Sequence, residues 1–294
     1  MEVSLEERFN NPEILESDDS PGSKVEIVDI DPQEKKTDMP LLVIPGWAAT
    51  VEVHKENAKI FSELGRRTIT ISSPHGIETK QEGDIPLAEL RKAMAITKVI
   101  EEKRLEQVDV VTHSEGALFT TIAALRNPER FRSIVFVSPA GLIGEDSFWE
   151  LTKRFSSDLL QQWKDRKKSP ERNTQINTQI KTALIEALKT FRSPKKSLDE
   201  IKAIANTQIQ ENLRELRRQG VKVIIIHPVG DKVLPMERMQ KMVTGEMVDG
   251  FISAGDAKQT GGVAETHNAW YLTPQQYTKA VNSILTSLET KKNS

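Results

Sequence analysis

Three continuous apolar runs constrain this chain most: Pro40-Leu41-Leu42-Val43-Ile44, Ser133-Ile134-Val135-Phe136-Val137 and Val221-Lys222-Val223-Ile224-Ile225-Ile226. A strand apolar at consecutive positions is buried on both faces, which requires a parallel sheet covered by helices on each side. Further strands are predicted at 67–72, 108–113 and 248–254, and Lys24 to Ile30 alternates as an edge strand does. Helical stretches near 51–64, 86–104, 115–126, 235–243 and from Pro274 onward separate them. Strand alternating with helix in this way specifies an α/β fold, a doubly wound and mostly parallel sheet. Such sheets place their ligands beyond the carboxyl ends of the strands. Residues 1–23 are polar and acidic and read as a loosely ordered segment.

One stretch breaks the alternation. Residues 142–219 lack a strand signal, and Phe148, Leu151, Phe155, Leu159 and Trp163 recur on one face of a helix. Ile176, Ile180, Leu184, Leu188 and Phe191 repeat the pattern, as do Ile201, Ile204, Ile209, Leu213 and Leu216 less regularly. The expected organisation is therefore a polar segment at 1–23, an α/β body at 24–141 and 220–294, and an all-helical cap inserted at 142–219. Within 147–219 there are 16 Lys and Arg against 9 Asp and Glu, a net of +7, so the rest carries −9 of the total of −2. We read the basic stretch as a solvated, lysine-rich helical surface.

Composition removes several chemistries. With no cysteine among 294 residues, disulfides, thiolate nucleophiles and zinc–thiolate sites are excluded. The same composition fits a cytoplasmic enzyme. No apolar run approaches the roughly 20 residues that span a bilayer, and the start, Met1 to Arg8, has neither the basic nor the apolar part of a signal peptide. No P-loop and no dinucleotide fingerprint are present, and nothing points to nucleic acid. His54, His75, His113 and His227 show no metal-ligand spacing and are assigned packing or surface roles.

The chemistry concentrates at Thr112-His113-Ser114-Glu115-Gly116, between the predicted strand 108–113 and the helix that follows. A serine at a tight strand-to-helix turn, with glycine two places on, is a nucleophile elbow. Serine is a poor nucleophile near pH 7 unless a base takes its proton and an acid orients that base. Asp231 lies in the loop after the strand ending at Ile226, followed by Pro235, and His267 lies in a loop past the next strand. Asp256 is a weaker alternative acid. The order serine, acid, histidine is the one this sheet requires.

With these segments the chain resembles the α/β-hydrolase superfamily over roughly residues 24–289, through Leu41–Trp47, Thr112–Gly116, Gly230–Pro235 and Thr266–Pro274. The resemblance implies Ser114 as nucleophile, His267 as general base and acid, and Asp231 as the orienting carboxylate. It implies an oxyanion hole from the backbone N–H groups of Trp47 and Glu115, with Trp47, Phe148 and Phe155 lining the substrate pocket. Three positions depart from the common pattern: Pro45-Gly46 for His-Gly, Thr112 for a small residue, and Pro228 for a glycine. The expected activity is hydrolysis of small-molecule carboxylic esters with small or medium acyl groups, without metal or organic cofactor. The alternatives are the same residues acting on an amide, thioester, lactone or carbon–carbon bond, and a non-catalytic binding protein. A closed homodimer is the assembly to expect first, and stable membrane insertion is not expected.

Overall fold

A computed structural model describes residues 4–16, 24–47, 49–73, 87–165, 177, 194–255 and 266–290. Eight strands form one sheet: β1 (Glu13–Glu16), β2 (Lys24–Ile30), β3 (Leu41–Ile44), β4 (Thr68–Ile71), β5 (Val108–His113), β6 (Phe131–Val137), β7 (Lys222–Pro228) and β8 (Gly250–Ala254). Their spatial order is β1-β2-β4-β3-β5-β6-β7-β8. The β1–β2 and β2–β4 pairings are antiparallel, and all the others are parallel. From β3 the chain winds one way to β4 and then the other way to β5. The carboxyl ends of β3 and β5 therefore flank the switch point where such sheets bind ligands.

The helices among the described residues are α1 (Leu5–Asn10), α2 (Lys55–Glu63), α3 (Leu87–Glu102), α4 (Gly116–Arg126), α5 (Phe148–Asp165), α6 (Pro194–Asn206), α7 (Gln210–Arg218), α8 (Met236–Met242), α9 (Ala269–Leu272) and α10 (Pro274–Thr290). Strands β3 to β7 are buried almost throughout on both faces, as the continuous apolar runs of β3, β6 and β7 require. Leu42, Ile44, Val110, Ile134, Phe136, Val223 and Ile225 pack on one side with residues of α3, α4 and α7. Their neighbours Leu41, Val43, Val111, Val135, Val137, Ile224 and Ile226 pack on the other with Phe61, Trp270, Tyr277, Val281 and Leu285. Each such side chain contributes about 1.5–3 kcal/mol when fully buried.

At the amino ends of the strands, away from the switch point, a buried ionic network ties α10 to the sheet. Asp109 accepts from Ser133 Oγ at 2.6 Å and is paired with Arg132. Arg66 lies 3.5 Å from Asp109 and 2.9 Å from Glu289.

Two elements differ from expectation. Residues 5–10 and 13–16 are ordered as α1 and β1, which makes β2 an interior strand rather than an edge. Ser4 Oγ caps α1 by accepting from Glu7 N at 3.2 Å, and Phe9 is buried beside Val28, Ile30, Val51 and Ala58. One aromatic anchor and a backbone ladder order a segment whose composition is polar.

The second difference lies on α5, within the helical stretch between β6 and β7. Here α5 packs on α6, while α7 packs on α4 and β7. On α5 the buried positions are Leu151, Asp158 and Gln162; Phe155 and Leu159 are half-buried and Trp163 is exposed. The helix thus turns two polar side chains inward. The stripe from Ile176 to Phe191, Asp256, His75 and the Phe148 side chain lie outside the described residues.

Candidate active site

β5 ends at the switch point and hands the chain to α4 through Ser114, whose φ of 53° is left-handed. A non-glycine residue there is strained and must be held by its surroundings. Ser114 N donates to Val137 O at 3.1 Å, and Ser114 O accepts from Ala117 N at 3.1 Å and Ala140 N at 3.0 Å. Two glycines make room. A Cβ on Gly46 would stand 3.1 Å from Ser114 Cβ, and one on Gly116 would stand 2.5 Å from Thr112 Oγ1 and collide with the Pro45 carbonyl. Thr112 is accommodated because Gly116 has no side chain, and its hydroxyl accepts from Thr120 Oγ1 at 3.3 Å.

The loop after β7 brings Asp231 to the same end of the sheet. Its Oδ1 accepts from Val233 N at 2.9 Å and Leu234 N at 2.8 Å, which aims Oδ2 at His267 Nδ1, 2.8 Å away. His267 Nε2 lies 2.9 Å from Ser114 Oγ. Three residues distant in sequence thus form one hydrogen-bonded chain. Nδ1–H donates to the carboxylate, and Nε2 is left to accept from the serine hydroxyl.

Electrostatics hold that arrangement. Burial alone would push the Asp231 carboxyl up, but the charge and hydrogen bond of His267 outweigh it and keep it below the usual range. Burial would lower the His267 imidazole, yet Asp231, with a smaller contribution from Asp158, raises it above 6.5.

A second histidine supports the first. His113 Nε2 donates to the His267 carbonyl at 3.0 Å, so its Nδ1 must accept, and Tyr271 Oη donates to it at 3.1 Å. Burial lowers His113 to about 3, which keeps it neutral. His227, also buried, donates from Nε2 to Leu234 O at 2.8 Å and braces the Asp231 loop. No cluster of metal-ligating side chains occurs among the described residues.

The alpha/beta hydrolase fold family model matches residues 39–214. The chain belongs to this family. No curated protein matches the chain. Solved structures share the family fold at low identity. Bromoperoxidase from Bacillus anthracis is 16% identical with a TM-score of 0.65, covering 95% of this chain and 98% of its own. The enol-lactonase from Burkholderia xenovorans LB400 is 13% identical with a TM-score of 0.63, covering 91% and 98%. An esterase from Exiguobacterium antarcticum is 16% identical with a TM-score of 0.62, covering 94% and 99%.

Within this family fold, the side chains of Trp47 and Glu115 lead into a buried charge cluster that sequence reasoning missed. Lys92 Nζ lies 2.6 Å from Glu115 Oε1 and 3.7 Å from Glu200 Oε1, and Trp47 Nε1 donates to Glu200 Oε2 at 2.9 Å. Glu89 completes it. Burial, then the Glu115 charge, raise its carboxyl well above the usual range. Lys92 stays charged because the neighbouring carboxyl groups, Glu115 first, outweigh its burial. The only sequence signal was a Glu and a Lys at i and i+3 on the inward face of α3. The half-buried Trp47 indole is engaged by Glu200 of α6, and Phe155 is half-buried against the core.

Proposed function

We propose that this protein is a serine hydrolase cleaving carboxylic esters of small or medium acyl groups. The observation that carries the reading is the hydrogen-bonded chain Ser114–His267–Asp231, with Ser114 held at positive φ at the switch point. Ser114 Oγ attacks the ester carbonyl as His267 Nε2 takes its proton. Asp231 fixes the tautomer and stabilises the imidazolium that forms. The backbone N–H groups of Trp47 and Glu115 receive the developing oxyanion, and a single such donor is worth about 2.7–4 kcal/mol of barrier. His267 then protonates the leaving alcohol, an acyl-enzyme remains, and water activated by the same imidazole releases the acid. The helices between β6 and β7 serve as a cap over this site. No step calls for a metal or an organic cofactor.

The test is hydrolysis of p-nitrophenyl esters over a range of acyl lengths by the wild type and Ser114→Ala. Loss of Ser114 lowers turnover by at least about 10³-fold, because the three residues act as a unit. Equal rates in the two proteins would overturn the reading. Labelling of Ser114 by a fluorophosphonate distinguishes a hydrolase of another acyl bond, lactone included, from a non-catalytic binder.

A further inference from the structure

On α5, Asp158 is 1% exposed, and its Oδ2 accepts from Gln162 Nε2 at 2.6 Å, one turn along. Among the described residues its Oδ1 has no hydrogen-bond partner. Burial raises the carboxyl to about 6, which leaves it ionised near neutral pH. A buried anionic oxygen without a donor is costly, and a ligand that brings a donor removes that cost.

Two observations bring this group toward the candidate site. Arg154, one turn before Asp158, donates from Nε to Val233 O at 2.9 Å, and Val233 N in turn binds Asp231. The charge of Asp158 acts on His267, and Asp231 and Lys232 act on Asp158. Asp158 is nevertheless not a hydrogen-bond partner of His267, whose two nitrogens are taken by Asp231 and Ser114. The imidazole that delivers a proton to the leaving atom must lie on the leaving-group side. A carboxylate whose charge acts on that imidazole is suited to the alcohol half of an ester.

We propose that Asp158 is the substrate-recognition carboxylate of this site and that the favoured esters carry a protonated amine on their alcohol half. The proposal rests on the ester-hydrolase reading. An ammonium N–H supplies the donor that Oδ1 lacks and compensates its charge, making a charge-assisted hydrogen bond. A neutral alkyl group of the same shape leaves Oδ1 unsatisfied.

Binding to Ser114→Ala tests this without turnover. The probes are dimethylaminoethyl butyrate, protonated near neutral pH, and its carbon isostere isoamyl butyrate, titrated by NMR. The amine ester binds at least about tenfold more tightly, and the ratio of the two dissociation constants falls to near one when Asp158→Asn is added. A ratio near one with Asp158 present, or one that survives Asp158→Asn, overturns the proposal. Asp158→Ser is the second variant should the first fail to fold. Fluorophosphonate labelling of Ser114 in the wild type reports separately on the ester-hydrolase reading. An amine preference without labelling would sink that reading and leave the recognition role standing.

Discussion

At the scale of single residues, the protonation of His267 governs the proposed chemistry. The imidazole must be neutral to accept the Ser114 proton, so kcat/KM rises with pH through a midpoint above 6.5, where Asp231 holds the group. Asp231→Asn removes the charge that opposes burial. The rate then drops by about 10³–10⁴-fold, and the midpoint of the residual activity moves down. A pH–rate profile of the two proteins checks both, and an unchanged midpoint would show that Asp231 does not set the imidazole. The residues involved differ in how visible they were. Ser114, Asp231 and His267 stand out because their order and loop positions fit one sheet. His113 reads as an ordinary elbow position, since nothing in a linear sequence shows that its ring meets the His267 carbonyl and Tyr271.

Between residue and molecule lies the elbow, where β3, β5 and α4 approach so closely that a methyl group matters. Gly116→Ala places a Cβ 2.5 Å from Thr112 Oγ1 and into the Pro45 carbonyl, forcing the β3 loop away from the serine. The variant loses about 1–3 kcal/mol of stability in urea unfolding, the range for an overfilled core. In the proposed ester hydrolase it also loses turnover, because Trp47 lies two residues past Pro45 on that loop. Retained stability and turnover would mean that the loop moves aside at no cost. Helix and strand periods located most elements to within a few residues. The inward face of α5 is different. Its apolar stripe pointed to Phe155, Leu159 and Trp163, while the fold buries Asp158 and Gln162. Only packing on the body decides which side of an amphipathic helix is covered.

For the whole molecule, the two layers on the sheet fix its response to acid. His54 is fully buried in the layer with α9 and α10, accepting from Trp270 Nε1 at 3.4 Å, and burial lowers its pKa from 6.5 to about 3. The unfolded chain takes up this proton below 6.5 and the folded one does not. The stability that neutral His54 provides is therefore complete above 6.5 and declines as pH falls toward 3. Buried Glu89, raised rather than lowered, acts in the opposite sense. The comparison with His54→Asn isolates the effect: relative to that variant, the wild type loses about 1.4 kcal/mol per pH unit below 6.5. Urea unfolding of both proteins between neutral pH and pH 4 measures it, and parallel curves would refute it.

The sequence by itself determined the doubly wound α/β fold and the strand ends on which a serine, an acid and a histidine stand. Runs apolar at every position have no stable home except a sheet covered on both faces, and topology then fixes which loops share the switch point. Tertiary structure alone decided the rest. The β1 pairing, the Lys92 cluster joining α3, the elbow and α6, and the inward carboxylate of Asp158 all depend on contacts between residues far apart in the chain. A buried charge and a solvated charge are the same letter in a sequence, and only the packed surroundings set the dielectric and the partners that separate them.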